Sequence, residues 1–393
     1  MAIARRTFMV RGLSLACPAK NLCISKRLEQ RLNGEITMSA IVTRPGNVTP
    51  QWMSEALASS GHLENGAVVN RLSYQIIGTG KMGDNARYRL EYTGGQGNAP
   101  ASVIIKFPAE DETARAMAGA QGAYYNEVMF YRHLADRTSM RTPTIYANEV
   151  SDDRLAFVTV MEDMSPAEPG SQLIGESLEH VRVAMGEAAK LAAAFYGDES
   201  VGAHDFVMSQ VRDDGGAFGQ ALLQQYWPGF LQRFGHGING ECEAFGAFYV
   251  DHHTRFATRF DGPRTLAHGD FRSENILFDG DRACTVDWQT TSEGSALTDL
   301  AYFMGGSVEL EDRRMWERQL VDDYSGLLAG QGIELDSEAC WQQYREQAMH
   351  GLMITILGAS FTAAAERSDA MFLTMIQRHL QHCVDLGAKE FLE

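Results

Sequence analysis

The stretch from His268 to Gln289, HGDFRSENILFDGDRACTVDWQ, constrains this chain more than any other. Leu266-Ala267 is a short apolar entry, and Ile276-Leu277-Phe278 is a second apolar run. Between them lie His268, Gly269 and Asp270, with Asn275 five residues further on. Asp279-Gly280-Asp281 reads as a hairpin turn. Ala283 to Val286 can return as a strand and deliver Asp287 at its end. This layout puts one carboxylate, Asp270, on a loop. The hairpin brings an amide oxygen (Asn275) and a second carboxylate (Asp287) beside it. Hard oxygen donors of this kind suit Mg2+, which is usually held by one or two carboxylates together with substrate phosphates. The other carboxylate is left to orient a hydroxyl and take its proton.

An H-x-D-x-x-x-x-N loop followed by a metal-holding Asp is the parts list of phosphoryl transfer. HGDFRSENILF, then Val286-Asp287-Trp288-Gln289, then Thr298-Asp299-Leu300-Ala301-Tyr302-Phe303 resembles the small-molecule kinases with a protein-kinase-like fold. These include aminoglycoside phosphotransferases, choline kinases and, most similar, the ecdysteroid-kinase-like (CHK kinase-like) group. A polar hairpin with two turn aspartates is the bland alternative, but His, Asp, Asn and Asp in this order between apolar strands rarely arise by chance. The resemblance implies an α+β, bilobal protein-kinase-like fold. A small N-lobe holds an antiparallel sheet and one main helix, and a larger C-lobe is mostly helical.

The same resemblance implies ATP between the lobes. Asp270 would orient the acceptor hydroxyl and accept its proton, while Asn275 and Asp287 hold Mg2+. His268 would prop the loop through hydrogen bonds rather than act as base. Arg272 would offset charge on the transferring group, with a surface salt bridge as its other reading. Asp299 is expected to hydrogen-bond the backbone of the catalytic loop. Trp288-Gln289 stands where protein kinases have Phe-Gly, so neither a phenylalanine-based activation switch nor a phosphorylated activation loop is expected.

Upstream, Gly78-Thr79-Gly80-Lys81-Met82-Gly83 is a GxGxxG, with glycines at Gly78, Gly80 and Gly83. Dinucleotide-binding folds and kinases share this pattern, and a plain hairpin turn can also produce it. A dinucleotide fold needs a helix directly after the glycines. Here Ala86 to Tyr92 alternates as a strand, and strand, glycine loop, strand is the kinase arrangement, in which the loop covers the phosphates. Ala101 to Phe107 is a third strand, and Lys106 lies inside its apolar run, a costly place for an unpaired ammonium. Glu112 to Ala135 reads as one helix. Glu127, in its apolar-rich half, is the expected partner of Lys106. Glu112 is the alternative, although an acid at a helix start complements the dipole without needing a partner. In the family, Met161 to Met164 is the hinge, where the Glu162 carbonyl and the Met164 amide would hydrogen-bond adenine. Residues 38–161 are expected to form the nucleotide-binding N-lobe, and 162–393 the C-lobe with the catalytic loop and acceptor-binding helices.

Residues 1–37 differ from the rest, with seven basic side chains against two acids. They read either as an Arg-rich targeting peptide or as an extension ahead of a true start at Met38. The second is the expectation, with little packed structure before Met38. The six cysteines are scattered with no CxxC pair, which reads as reduced and cytoplasmic. No run reaches the roughly 20 apolar residues of a membrane span. A net charge of −17 argues against nucleic-acid partners.

The expected activity is ATP-dependent transfer of the γ-phosphoryl group to a hydroxyl of a small acceptor. The family points to an apolar one, a sterol-like alcohol or a hydroxyacyl compound, and the Met- and Ala-rich C-terminal helices fit a soft apolar pocket. An aminoglycoside would need several acids in the pocket. Choline would need an aromatic cage, which Tyr226, Trp227, Trp341 and Tyr344 could supply. Two other classes compete. A nucleotide-binding pseudokinase is disfavoured because Lys106, Asp270, Asn275 and Asp287 are all present. A dinucleotide-dependent oxidoreductase rests on the GxGxxG alone and lacks a second βαβ unit.

Overall fold

Alternating side chains build a five-stranded antiparallel sheet. β1 (Val68–Ile77), β2 (Gly83–Thr93), β3 (Ser102–Pro108), β4 (Ile145–Val150) and β5 (Phe157–Glu162) align in the order β1-β2-β3-β5-β4. The computed structural model describes residues 41–64, 66–78, 83–209 and 214–393; Gly80 and the expected extension 1–37 lie outside them. In β2, Ala86, Tyr88 and Leu90 are buried on alternate positions, as a half-covered strand requires. Helix α1 (Pro50–Ser59) starts where Thr49 Oγ1 accepts from the Trp52 amide at 3.1 Å, and it packs on β1 and β4.

The segment after β3 is two helices rather than one. α2 (Glu112–Ala120) and α3 (Ala123–His133) are separated at Gly122, whose φ is +71°. Helical periodicity runs through the break, so the apolar pattern alone reads as continuous. A residue without Cβ enters the left-handed region freely and resets the helix direction. α3 then serves two cores. Tyr124 and Val128 pack with Phe157 on the sheet, while Phe130, Tyr131 and Leu134 join the large C-terminal core.

That larger core is built from α4 (Leu178–Phe195), α5 (Ala217–Phe234), α6 (Gly240–Arg259), α7 (Thr298–Ser307), α8 (Leu310–Gly330), α9 (Ser337–Gln347), α10 (His350–Ser360) and α11 (Glu366–Asp385). Every residue of α7 is buried. Pro228 lies inside α5 without ending it. Pro228 and Gln224, whose carbonyl loses its donor, are both exposed, so water can take that bond. Short strands carry the H-x-D-x-x-x-x-N loop. β7 (Thr265–Ala267) pairs with β10 (Ser292–Gly294), and β6 (Glu168–Pro169), β8 (Ile276–Asp279) and β9 (Arg282–Thr285) form a second small sheet. β8 and β9 are the expected hairpin, with Asp279 opposite Arg282 and Gly280 at φ +59°. Among the described residues no helix is long and apolar enough to cross a membrane.

Candidate active site

Register places the first cluster. Lys106 on β3 pairs with Asn85 on β2 and with Thr159 on β5, at the centre of the sheet. Its ammonium donates to both carboxylate oxygens of Glu127, at 2.7 Å each, and lies 3.5 Å from Asp287 Oδ1. The Glu127 side chain is 3% exposed and that of Lys106 17%, so the pair is well desolvated. Burial alone would lower the lysine's proton affinity. Asp287 and Glu127 together outweigh it and hold Lys106 above its ordinary range, as a cation. Glu112, the alternative partner, instead pairs with Arg115 at 3.8 Å. Of the glycine motif, Gly78 and Gly83 are among the described residues, directly after β1 and at the start of β2. Gly78 has φ +70°, and a Cβ on Gly83 would fall 2.7 Å from the Phe107 carbonyl oxygen.

The second cluster is Asp270. Its Oδ2 accepts from Asn275 Nδ2 at 2.9 Å and from Arg272 Nε at 3.2 Å, and its Oδ1 accepts from the Tyr302 hydroxyl at 2.6 Å. Asn275 Nδ2 also donates to the Asp270 carbonyl at 2.9 Å. Both donor directions of that amide nitrogen therefore face Asp270, while Asn275 Oδ1 makes no hydrogen bond among the described residues. Asp287 takes φ +70°, a left-handed conformation rare outside glycine, directly after the hairpin. Arg272 is not on the surface. It bridges Asp270 and Glu274, the latter at 2.8 Å. Burial would lower its guanidinium, and Asp270, Tyr302 and Glu274 reverse that.

Supporting contacts hold the loop. Asp299 accepts from the His268 amide at 2.8 Å and the Gly269 amide at 3.1 Å. His268 Nδ1 accepts from the Asp270 amide at 3.2 Å, so its other nitrogen carries the proton toward the Val286 carbonyl at 3.1 Å. With both nitrogens engaged, the imidazole is a prop and has no free lone pair for a base. Trp288 is fully buried. It stacks on Phe130 of α3 with centroids 3.7 Å apart and planes 4° apart, and it contacts His268 at 4.6 Å.

At the junction, Arg141 donates to both Glu162 carboxylate oxygens at 2.7 Å, and the Thr144 amide adds a third bond at 3.0 Å. Burial would raise the Glu162 carboxyl, but these donors hold it below its usual range. The Met164 amide makes no hydrogen bond among the described residues, and its carbonyl accepts from Ala167 at 2.9 Å. The four aromatics considered for a choline cage do not assemble. Tyr344 is fully buried on Glu317 and stacks with Trp341, whereas Tyr226 meets Phe361 and Trp227 meets Phe230. Packing of separate helices decides this, and sequence spacing does not reveal it.

A sequence model of the ecdysteroid kinase-like family matches residues 82–335, well over half of the chain. The chain belongs to the ecdysteroid kinase-like family. With that family it is a phosphotransferase with an alcohol group as acceptor. No curated protein sequence matches it. Among solved structures, choline kinase from Cryptosporidium parvum Iowa II is similar over 82% of this chain and 91% of its own, with 9% identity and a TM-score of 0.50. An ethanolamine kinase from Plasmodium vivax covers 81% and 84% at 13% identity and a TM-score of 0.45. A spectinomycin phosphotransferase in complex with ADP and spectinomycin covers 87% and 99% at 10% identity and 0.48. The first of these shows the shared bilobal kinase-like fold.

Sequence reasoning quoted Tyr302 within its motif but gave it no role. Its spacing held the signal, because a residue three after Asp299 lies on the same helix face, toward the loop that Asp299 caps. His350, whose Nε2 lies 2.9 Å from the Gly269 carbonyl oxygen, had no such signal.

Proposed function

We propose that this ecdysteroid kinase-like protein transfers the γ-phosphoryl group of ATP to a hydroxyl of a small, apolar acceptor. One observation carries the reading. Two preassembled clusters, Lys106–Glu127–Asp287 and Asp270–Asn275–Arg272, are tied together beside the hairpin, where the Val286 amide, next to Asp287, donates to the Asn275 carbonyl at 3.0 Å. Residues 38–161 serve as the nucleotide lobe and 162–393 as the acceptor lobe. Adenine meets the Glu162 carbonyl and the free Met164 amide. The loop of Gly78, Gly80 and Gly83 lies over the phosphates, and Lys106 draws charge from them.

Asn275 Oδ1 and Asp287 fit Mg2+ by donor chemistry, since both are hard oxygens without a competing protein donor closer than Lys106. Among the described residues no group of three or more His, Cys, Asp or Glu could hold a metal unaided. Two protein ligands completed by phosphate oxygens is the arrangement Mg2+ favours. When bound, the ion neutralises charge building on the phosphates. Asp270 orients the acceptor hydroxyl and takes its proton, and Arg272 sets a positive charge beside that carboxylate. Positioning and charge stabilisation supply most of the acceleration.

The apolar acceptor is supported by α10. Its His350, Met353, Ile354 and Leu357 share one stripe at helical spacing, which begins beside the catalytic loop and is only partly covered. The described cysteines are buried thiols outside any disulfide, in keeping with a cytoplasmic site of action. The test is ATP turnover with Mg2+ over a panel of sterols, hydroxyacyl-CoAs, choline and aminoglycosides, beside Asp270→Asn. Turnover stimulated by an apolar alcohol and lowered about 10²- to 10⁴-fold in the variant is expected. A wild-type chain that binds no ATP would sink the reading, and stimulation only by choline or an aminoglycoside would overturn its acceptor.

A further inference from the structure

The hydrogen bond between Tyr302 and Asp270 is unexplained by the roles above, as is the group packed behind it. A carboxylate offers about four lone-pair sites. Three at Asp270 are taken, by Asn275 Nδ2, Arg272 Nε and the Tyr302 hydroxyl. One remains for the acceptor hydroxyl. Asn275 and Arg272 both anchor Oδ2, and among the described residues the Tyr302 hydroxyl is the hydrogen-bond donor on Oδ1, the oxygen with the open site.

Tyr302 is itself held from two other helices. His379 of α11 lies flat on its ring, with centroids 5.1 Å apart and planes 9° apart. His350 of α10 meets it edge-on at 5.5 Å while its Nε2 engages the Gly269 carbonyl oxygen. His379 is completely buried, and among the described residues neither ring nitrogen has a hydrogen-bond partner. A solitary buried imidazole is costly, and buried polar groups in native proteins ask for a reason. The space for it is cleared by three glycines. A Cβ on Gly305, Gly306 or Gly351 would come under 3.0 Å from the ring. Two helices, α7 with Gly305 and Gly306 and α10 with Gly351, thus give up side chains so that this ring can lie against Tyr302. Burial, and then the nearby charge of Asp270, keeps the phenol protonated as a donor.

We infer that Tyr302 is a positioning residue, its phenol turning Asp270 so that the one open lone pair faces the acceptor hydroxyl, and that His379 in its glycine bed holds Tyr302 in place. This rests on Asp270 being the base in the reaction proposed above. The experiment compares wild type, Tyr302→Phe, His379→Ala and Asp270→Asn. It uses ATP, Mg2+ and the acceptor of highest rate in the panel, with ATP affinity measured by calorimetry. Tyr302→Phe should lower kcat about 10- to 100-fold, the worth of one charge-assisted hydrogen bond. The ATP Kd should hardly move, and the melting temperature should fall by no more than the few degrees that one such bond is worth. His379→Ala should lower kcat several-fold with the ATP Kd again unchanged. A Tyr302→Phe kcat within two-fold of wild type, beside an inactive Asp270→Asn, would overturn the inference and leave the base assignment standing. An active Asp270→Asn would remove the base assignment, and the inference with it.

Discussion

Lys106 was legible as a site residue because its strand is otherwise apolar, and an ammonium there needs a partner. Glu127 was legible for the matching reason on α3, and the two meet at 2.7 Å. Each charge is in place because the other is. Lys106→Met should therefore destabilise the fold by about 3–5 kcal/mol, since it leaves Glu127 buried and uncompensated with Asp287 nearby. Lys106→Met combined with Glu127→Leu should recover most of that loss in denaturant titrations while turnover stays absent. A single variant as stable as wild type would contradict the account. At Asp270 the sequence marked the carboxylate and Asn275, but the direction of its open lone pair depends on Tyr302, 32 residues downstream.

At the level of elements, α3 links the two cores, and a ring pair is part of the link. Phe130 stacks on Trp288, which in turn contacts His268 beside the catalytic loop. Glu127 lies three residues earlier on the same helix. Tryptophan in this buried place ties helix and loop together where a smaller mobile ring could swing free. Phe130→Ala should cost about 3–5 kcal/mol, the usual range for removing a buried phenylalanine. It should also lower turnover at saturating ATP, although Phe130 touches no substrate, because Glu127 loses its anchor. Unchanged stability in chemical denaturation would contradict this. The break at Gly122 was not legible, since helical periodicity continues across it and only the +71° φ interrupts the chain.

For the whole molecule, burial of histidines sets an acid limit. Burial lowers His253 to about 4. It also lowers His350, His379 and His382, against opposing carboxylates at His350 and His382. A histidine with a depressed folded value binds its proton more readily in the unfolded chain. Its stabilising share is complete above the unfolded value near 6.5 and is lost as pH falls toward the folded one. Each such group contributes up to about 1.4 kcal/mol per pH unit within that window. Denaturation midpoints should thus fall steadily from pH 6.5 toward 4, and less steeply in a His379→Leu, His382→Leu double variant. A flat profile over that range would refute the assignment of these rings as buried and neutral.

The sequence by itself determined the strand, glycine-loop, strand order, the H-x-D-x-x-x-x-N loop with its hairpin, and the family, because these are local patterns in which spacing and residue type carry the chemistry. The acid and base of the buried pair were readable too, since each is out of place on its own element. Only the tertiary structure decided which groups turn Asp270, what lies behind Tyr302, that Arg272 is buried between two carboxylates, and that the four aromatics form no cage. Those outcomes depend on how α7, α10 and α11 pack around the loop and on where α5 and α9 place their aromatics. Packing joins residues far apart in the chain through shape and orientation, which periodicity along one strand or helix does not encode.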